Sequence, residues 1–164
     1  MGSMYEFRPM TAADLPLIKR WLRMPHVMEW WGEPDEQLDL VSGDLTHPAI
    51  DQYVVKTGQR EFAYIQCYRM TEWNLGFGPQ PDGARGIDQM IGEPDMIERG
   101  HGSAFIRSVL EGLLAAGVPR VVTDPNPTNG RAIRCYEKAG FARDRLVDTP
   151  DGTALLMIRN ASAP

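Results

Sequence analysis

Arg99-Gly100-His101-Gly102-Ser103 stands between a predicted strand and the most regular helical stripe of the chain. Two glycines one residue apart let the backbone curl tightly, so that successive N–H groups and a helix N-terminus converge on one point. Unsatisfied donors and the helix dipole both favour an anion there, and a phosphate meets that description. A Gly-x-Gly pair is also a plain way to begin a helix, and the residues by themselves leave both readings open. A dinucleotide fingerprint needs a third glycine where Phe105 stands, and a nucleotide P-loop needs a lysine that Gly102-Ser103-Ala104 lacks, so neither motif is matched. His26, His47 and His101 are scattered and share no ligand spacing with Cys67 or Cys135, so no metal site is expected.

The elements that must hold such residues follow from periodicity and turn chemistry. Tyr5–Arg8 reads as a first strand. Thr11–Asp14 has capping-box spacing, and Leu15, Ile18, Trp21 and Leu22 recur at helical intervals before Pro25. His26–His47 is polar and interrupted by Gly32, Pro34 and Gly43, which predicts a loop with a short helix around Gln37–Leu45. Asp51–Lys56 and Phe62–Met70 are aromatic and β-branched on either side of Thr57-Gly58-Gln59, the pattern of an antiparallel pair. Thr71–Ala84, rich in Gly and Pro, is expected to be a mobile surface loop, with Arg85–Ile91 as the next strand. Phe105, Ile106, Val109, Leu110, Leu113 and Leu114 stripe a helix that Gly117 and Pro119 stop. Val121 and Val122 open a short buried strand ending at Asp124-Pro125-Asn126-Pro127. Asn129–Ala139 is a helix stopped by Gly140, and Phe141–Val147 pairs with Ala154–Ile158 across Thr149-Pro150-Asp151-Gly152. The sum is a mixed α/β single domain without repeats.

At 164 residues, 43% hydrophobic and 24% charged, the chain has room for one core and too much apolar content for disorder. No window approaches the ~20 apolar residues of a membrane helix. Residues 1–4 read as a cloning remnant ahead of a domain spanning 5–160, with no signal peptide following. Two cysteines are too few for a disulfide framework, which makes a reducing cytoplasm the expected compartment. Seventeen basic and 22 acidic residues give a net charge of -5, which argues against a nucleic-acid partner. The charge is unevenly spread. No Lys or Arg occurs between Arg23 and Lys56, where Glu29, Glu33, Asp35, Glu36, Asp39, Asp44 and Asp51 all fall. The rest of the chain is net +2, because its fifteen acids face all seventeen basic residues. A solvated acidic surface and a cleft wall for a cationic ligand both fit that pattern.

The segment from Thr123 to Phe141, TDPNPTNGRAIRCYEKAGF, taken with the glycine turn, resembles the GCN5-related N-acetyltransferase (GNAT) superfamily. Within it the chain is similar to aminoglycoside 6'-N-acetyltransferases, on Glu29-Trp30-Trp31-Gly32, Arg85-Gly86-Ile87-Asp88-Gln89 and Thr149-Pro150-Asp151-Gly152. The superfamily likeness spans Tyr5–Ile158; the narrower one is strong from Arg85 onward and patchy before it. The resemblance implies a GNAT-type α/β fold, with a central, mostly antiparallel sheet of splayed strands and flanking helices. It implies acetyl-CoA as donor and no metal. The pyrophosphate would lie on the backbone of Arg99, Gly100, His101, Gly102 and Ser103, and the pantetheine arm beside Gln89, Met90 and Ile91. Asn129, Ala132 and Tyr136 would complete that cofactor site. Superfamily members often carry Gln or Arg where this chain has Ile97, a departure of little weight because backbone donors hold the phosphate.

Acetyl transfer to an amine needs a neutral amine, a polarised carbonyl and a protonated leaving thiolate. An alkyl amine is mostly ammonium at pH 7, so a base must take its proton. Asp88, on the strand that the resemblance places beside the acetyl group, is the expected base, directly or through water. An ordinary Asp near ~3.9 is a weak base, so burial or a nearby Asp124 would have to raise it; a strand-end cap is the other use of Asp at such a place. Tyr136, a phenol near ~10, is the expected acid toward the departing thiolate. Without its flanking motif Tyr136 would read as a core aromatic. Cys135 is turned away from it by the helix, which disfavours an acetyl-cysteine intermediate, and Cys67 and Cys135 are expected to be packing residues. Direct transfer in a ternary complex follows.

For a cationic acceptor the expected contacts are Asp88, Asp124 and Asp151, with Trp30 and Trp31 as flat cation–π or packing surfaces and Gln66 and Tyr68 alternating on one strand face. Relatives that act on aminoglycosides tend to have an acidic, Trp-rich loop ahead of the Asp88 strand, whereas residues 74–81 here are nearly neutral. Acetylation of another small amine or a protein N-terminus, and a non-catalytic acyl-CoA-binding domain, stand as alternatives. The expected partner is a small cationic amine, with no nucleic acid and no membrane, for a monomer or homodimer.

Overall fold

A computed structural model describes residues 4–162; residues 1–3 of the expected cloning remnant lie outside the described residues. Its strands are β1 (Tyr5–Pro9), β2 (Ile50–Thr57), β3 (Arg60–Arg69), β4 (Arg85–Ile91), β5 (Arg120–Thr123), β6 (Ala142–Thr149) and β7 (Gly152–Asn160). Its helices are α1 (Leu15–Leu22), α2 (Pro25–Trp31), α3 (Pro34–Asp44), α4 (His101–Ala115) and α5 (Gly130–Ala139). Among the described residues the strands form one mixed sheet of seven, ordered β1-β2-β3-β4-β5-β7-β6, so the expected α/β architecture is present. No helix among them is long and apolar enough to cross a membrane. The chain divides into two compact units, one running through Cys67 with Gln89–Arg99 added, the other made of Tyr68–Asp88 and the chain from Gly100 onward.

In the first unit β1 pairs antiparallel with β2. The two-residue turn between β2 and β3 forces those neighbours into the same arrangement. Ile18, Trp21, Leu22, Val27, Val41, Val54, Tyr64 and Met90 form its core. Gly92 lies against the Trp21 ring so closely that any Cβ would collide with it, and the Trp21 indole N–H donates to Glu93 Oε2 at 2.6 Å. Asp14 accepts from the Thr11 N–H at 2.9 Å, as half of the expected capping box, and from Arg8 at 2.8 and 3.0 Å.

The expected loop with one short helix over 26–47 is instead two helices, α2 and α3. Pro25 and Pro34 occupy first helical positions, where a missing N–H costs nothing and the fixed φ suits the helix. Glu33 then caps α3 through its side chain and the Glu36 N–H, at 2.8 Å. Pro34, which reads as an interruption, is a helix start, and Pro25, before which α1 ends as expected, starts the next helix.

In the second unit β4 and β5 pair in parallel, Arg85 with Val121 and Gly86 with Val122. A parallel pair needs a long crossover, and α4 supplies it, burying Phe105, Ile106 and Leu110. β5 also pairs antiparallel with β7, and β6 with β7 across a turn in which Thr149 faces Gly152. The segment 71–84, expected to be mobile, is anchored within this unit. Phe77 is fully buried, its N–H donates to Asn74 Oδ1 at 3.0 Å, and its carbonyl accepts from Arg145 at 2.5 Å. Gly76, at φ +94, lies against the Asp148 carbonyl with no room for a Cβ. One apolar side chain and two backbone approaches outweigh a composition typical of free loops.

Candidate active site

The second unit gathers three carboxylates from three separate stretches of chain. Continuing the β4–β5 register by two residues sets Asp88 level with Asp124. The backbone ladder stops short of that level, and the buried Thr123 hydroxyl bridges the gap by donating to the Ile87 carbonyl at 3.2 Å. Pro125, which has no N–H, ends β5; its carbonyl accepts from the Leu155 N–H at 2.9 Å and so ties the Asp124 turn to β7. Asp151 sits in the β6–β7 turn, where its N–H donates to Thr149 Oγ1 at 3.2 Å and Thr149 donates to the Gly152 carbonyl at 2.8 Å.

The electrostatic result falls on Asp124. Burial, then the charges of Asp88 and Asp151, push its carboxyl up to about 8. Desolvation and like charge both disfavour the anion, and only a bond from its own backbone opposes them. At neutral pH this carboxyl holds a proton unless a cation enters and takes its place. Two carboxylates set against a third in this way are a chemically suitable arrangement for a cation that can give up a proton.

Tyr136 and Asn129 belong to α5. Tyr136 is buried, its ring edge-on to Phe141 at 5.5 Å. Asn129 caps the helix, its Oδ1 accepting from the Ala132 N–H at 3.2 Å, which leaves its NH2 group as the donor side. Burial pushes the Cys135 thiol up to about 11, against Lys138, so it is a poor nucleophile. At α4, Gly100 adopts φ +83 as the N-cap, and nothing lies within 4 Å of the place a Cβ would take. Ala104 N–H to the Gly100 carbonyl, at 3.3 Å, begins the helical ladder. The backbone donors of Gly102 and Ser103 precede it and face out of the helix end, an arrangement that fits a phosphate.

The remaining expected residues lie in the first unit, apart from Tyr68 and His101, the first residue of α4. Trp31 meets Tyr64 edge-on at 6.1 Å, and the Tyr64 hydroxyl donates to Gln66 Oε1 at 2.6 Å and accepts from Gln52 at 3.1 Å. Trp31 and Gln66 are thus joined through one buried phenol, while Trp30 is exposed at 38%. The Met90 side chain belongs to the core, and the Ile91 carbonyl is bonded by His26 Nε2 at 2.8 Å. Tyr68, in the second unit, is buried. Its ring covers Gly86, where a Cβ would strike it, and meets Trp73 edge-on at 6.1 Å.

Thr123 and Trp73 were missed from sequence. Thr123 gives no signal by type alone, since a β-branched residue in a strand is unremarkable. Among the described residues no group of three or more His, Cys, Asp and Glu is arranged to hold a metal ion.

Residues 10–149 match the acetyltransferase (GNAT) domain family. The aminoglycoside N(6')-acetyltransferase type 1 of Klebsiella pneumoniae is 34% identical over 166 residues, covering 95% of this chain and 83% of the relative. A kanamycin resistance protein of Rhizobium radiobacter is 45% identical over 82 residues, 49% of this chain and 76% of that protein. Among solved structures, aminoglycoside acetyltransferase AAC(6')-Ib in complex with coenzyme A and kanamycin superposes with a TM-score of 0.86 at 33% identity, covering 95% of this chain and 94% of the other.

Proposed function

The chain belongs to the GNAT acetyltransferase family, and we propose that it transfers the acetyl group of acetyl-CoA to a primary amine of an aminoglycoside, at the 6' position. The observation that carries this reading is the convergence of Asp88 and Asp151 on the half-buried Asp124 carboxyl. A polycationic amino sugar offers what that cluster lacks, positive charge and a proton to give up. Relatives named for aminoglycosides share the fold over nearly the whole chain.

Acetyl-CoA supplies an activated acyl group as a thioester. The backbone donors at the start of α4 hold its pyrophosphate, and the NH2 group of Asn129 is available to the pantetheine arm. The charge of Asp88 holds the acceptor ammonium beside Asp124. The cation displaces the Asp124 proton to water, and the carboxylate pair then takes one proton from the ammonium, directly or through water, to free the nitrogen for attack; the adduct loses its second N–H proton to water as the C–S bond breaks. The Tyr136 hydroxyl gives its proton to the departing sulfur. With Cys135 held as a thiol, no acetyl-enzyme is required and the transfer is direct. Because the donor is made and used inside cells, the cytoplasm is the compartment this chemistry requires.

CoA release measured across kanamycin, further aminoglycosides, spermidine, an ornithine-type amine and a peptide N-terminus tests the reading. Kanamycin-class acceptors are expected to lead the panel, with the product carrying its acetyl group on the 6' nitrogen. Turnover of another amine with no aminoglycoside accepted would overturn the acceptor assignment. Acetyl-CoA binding without turnover of any amine would make the chain a binding domain.

A further inference from the structure

We infer that Thr123 is a positioning residue: its hydroxyl clasps β5 to the Ile87 carbonyl of β4 and so sets the separation of the two carboxylates, Asp88 and Asp124, that follow those residues. The inference rests on the reading of that pair as the ammonium-binding and proton-accepting site.

The main-chain ladder between β4 and β5 covers Arg85–Val121 and Gly86–Val122. One residue on, the donor to Ile87 is a side chain: the Thr123 hydroxyl at 3.2 Å, on a residue 1% exposed. Two residues beyond it, Pro125 has no N–H to give. On the other side this end of β5 is held by main chain, through Thr123 paired with Met157 and the Leu155 N–H bonded to the Pro125 carbonyl at 2.9 Å. The Asp124 end of β5 is thus tied to β7 by backbone and to β4 by the Thr123 hydroxyl. Removing that hydroxyl loosens the β4 side and leaves the β7 side as it is.

The charges that act on Asp124 are Asp88, from β4, and Asp151, from the β6–β7 turn. Loss of the clasp weakens the first and leaves the second. A hydroxyl that served only packing or stability would not change how the pair titrates. The test is therefore the pH profile of kcat/KM for kanamycin in the full chain, for wild type and for Thr123→Val, Thr123→Ser and Asp124→Asn.

Thr123→Val is expected to lose about tenfold to a hundredfold in kcat/KM, as a small misplacement of reacting groups does, and to move the ascending limb to lower pH. Thr123→Ser, which keeps the donor, retains the wild-type limb. Should the valine variant not fold, Thr123→Ala removes the same donor and carries the same expectation. A wild-type limb in the valine or alanine variant, or a serine variant shifted equally, overturns the inference. A limb unmoved by Asp124→Asn instead removes the underlying reading of the pair.

Discussion

The protein carries two collections of acids, and they do different things. On and around α2 and α3, seven acids follow one another with no basic residue between Arg23 and Lys56. Six of the seven are exposed and Asp44 is half-buried. They act locally: Glu33 caps its helix, and Asp35 pairs with Arg23 at 2.8 Å between two exposed side chains. The other collection has three members, from β4, the end of β5 and the β6–β7 turn, and they converge so that one of them is held near 8. Number of charges sets a long-range field; convergence away from water makes a site with its own proton chemistry. The proposed function assigns amine binding and deprotonation to the smaller group.

Substitutions that remove charge without changing shape sharpen this contrast. The largest effect is expected for Asp88→Asn, a loss of about 10²- to 10⁴-fold in kcat/KM, the usual worth of a positioned proton acceptor. Asp39→Asn, in the exposed collection, should leave the same constant within about twofold. Tyr136→Phe comes next: kcat should fall by at least about tenfold with KM little changed, because the phenol is asked to act only as sulfur departs.

A third effect concerns stability and has the opposite sign from the activity loss. The folded chain keeps the Asp124 proton up to about 8, whereas an unfolded Asp releases it near ~3.9. That group's contribution is fully present below the unfolded value and is lost as pH rises through the folded one. Wild-type Tm should therefore decline between about pH 5 and about pH 9, and Asp124→Asn should flatten the decline while raising KM for kanamycin. A melting series across that range, run beside the kinetics, checks both. The smallest change is expected for Asp35→Asn, within about 0.5 kcal/mol in a denaturant titration, as for exposed ion pairs generally.

Much of the scaffold was legible because local chemistry and tertiary structure agree. The glycine turn before α4, the start of α5 near Asn129 and its Gly140 stop, and the Thr149–Gly152 turn each carry their own signal and appear where expected. Pro34 misled, since the same residue breaks a helix interior and begins a helix. Segment 71–84 misled for another reason. Its glycines and prolines were visible, but the burial of Phe77 and the Arg145 bond to its carbonyl depend on partners almost seventy residues away.

At the site, residue types could be named in advance while their environment could not. Asp88, Asp124 and Asp151 were candidates from sequence, and the expectation was that Asp88 would need its basicity raised. The carboxyl held near 8 is Asp124, because its own burial and the charges of Asp88 and Asp151, none of them local in sequence, act on it. Tyr68 and Trp31, expected to line a pocket, have aromatic partners in Trp73 and Tyr64 that periodicity does not reveal.

The central claim is that three separated acids share one site in which a proton is stored until a cation replaces it. Carbon-detected NMR titration of the Asp side-chain carboxyls, with and without kanamycin, reads that directly. One carboxyl should titrate near 8, vanish in Asp124→Asn, and move well down when kanamycin binds. If instead every Asp completes its titration below about pH 5 and kanamycin shifts none of them, the acids do not converge and the account fails.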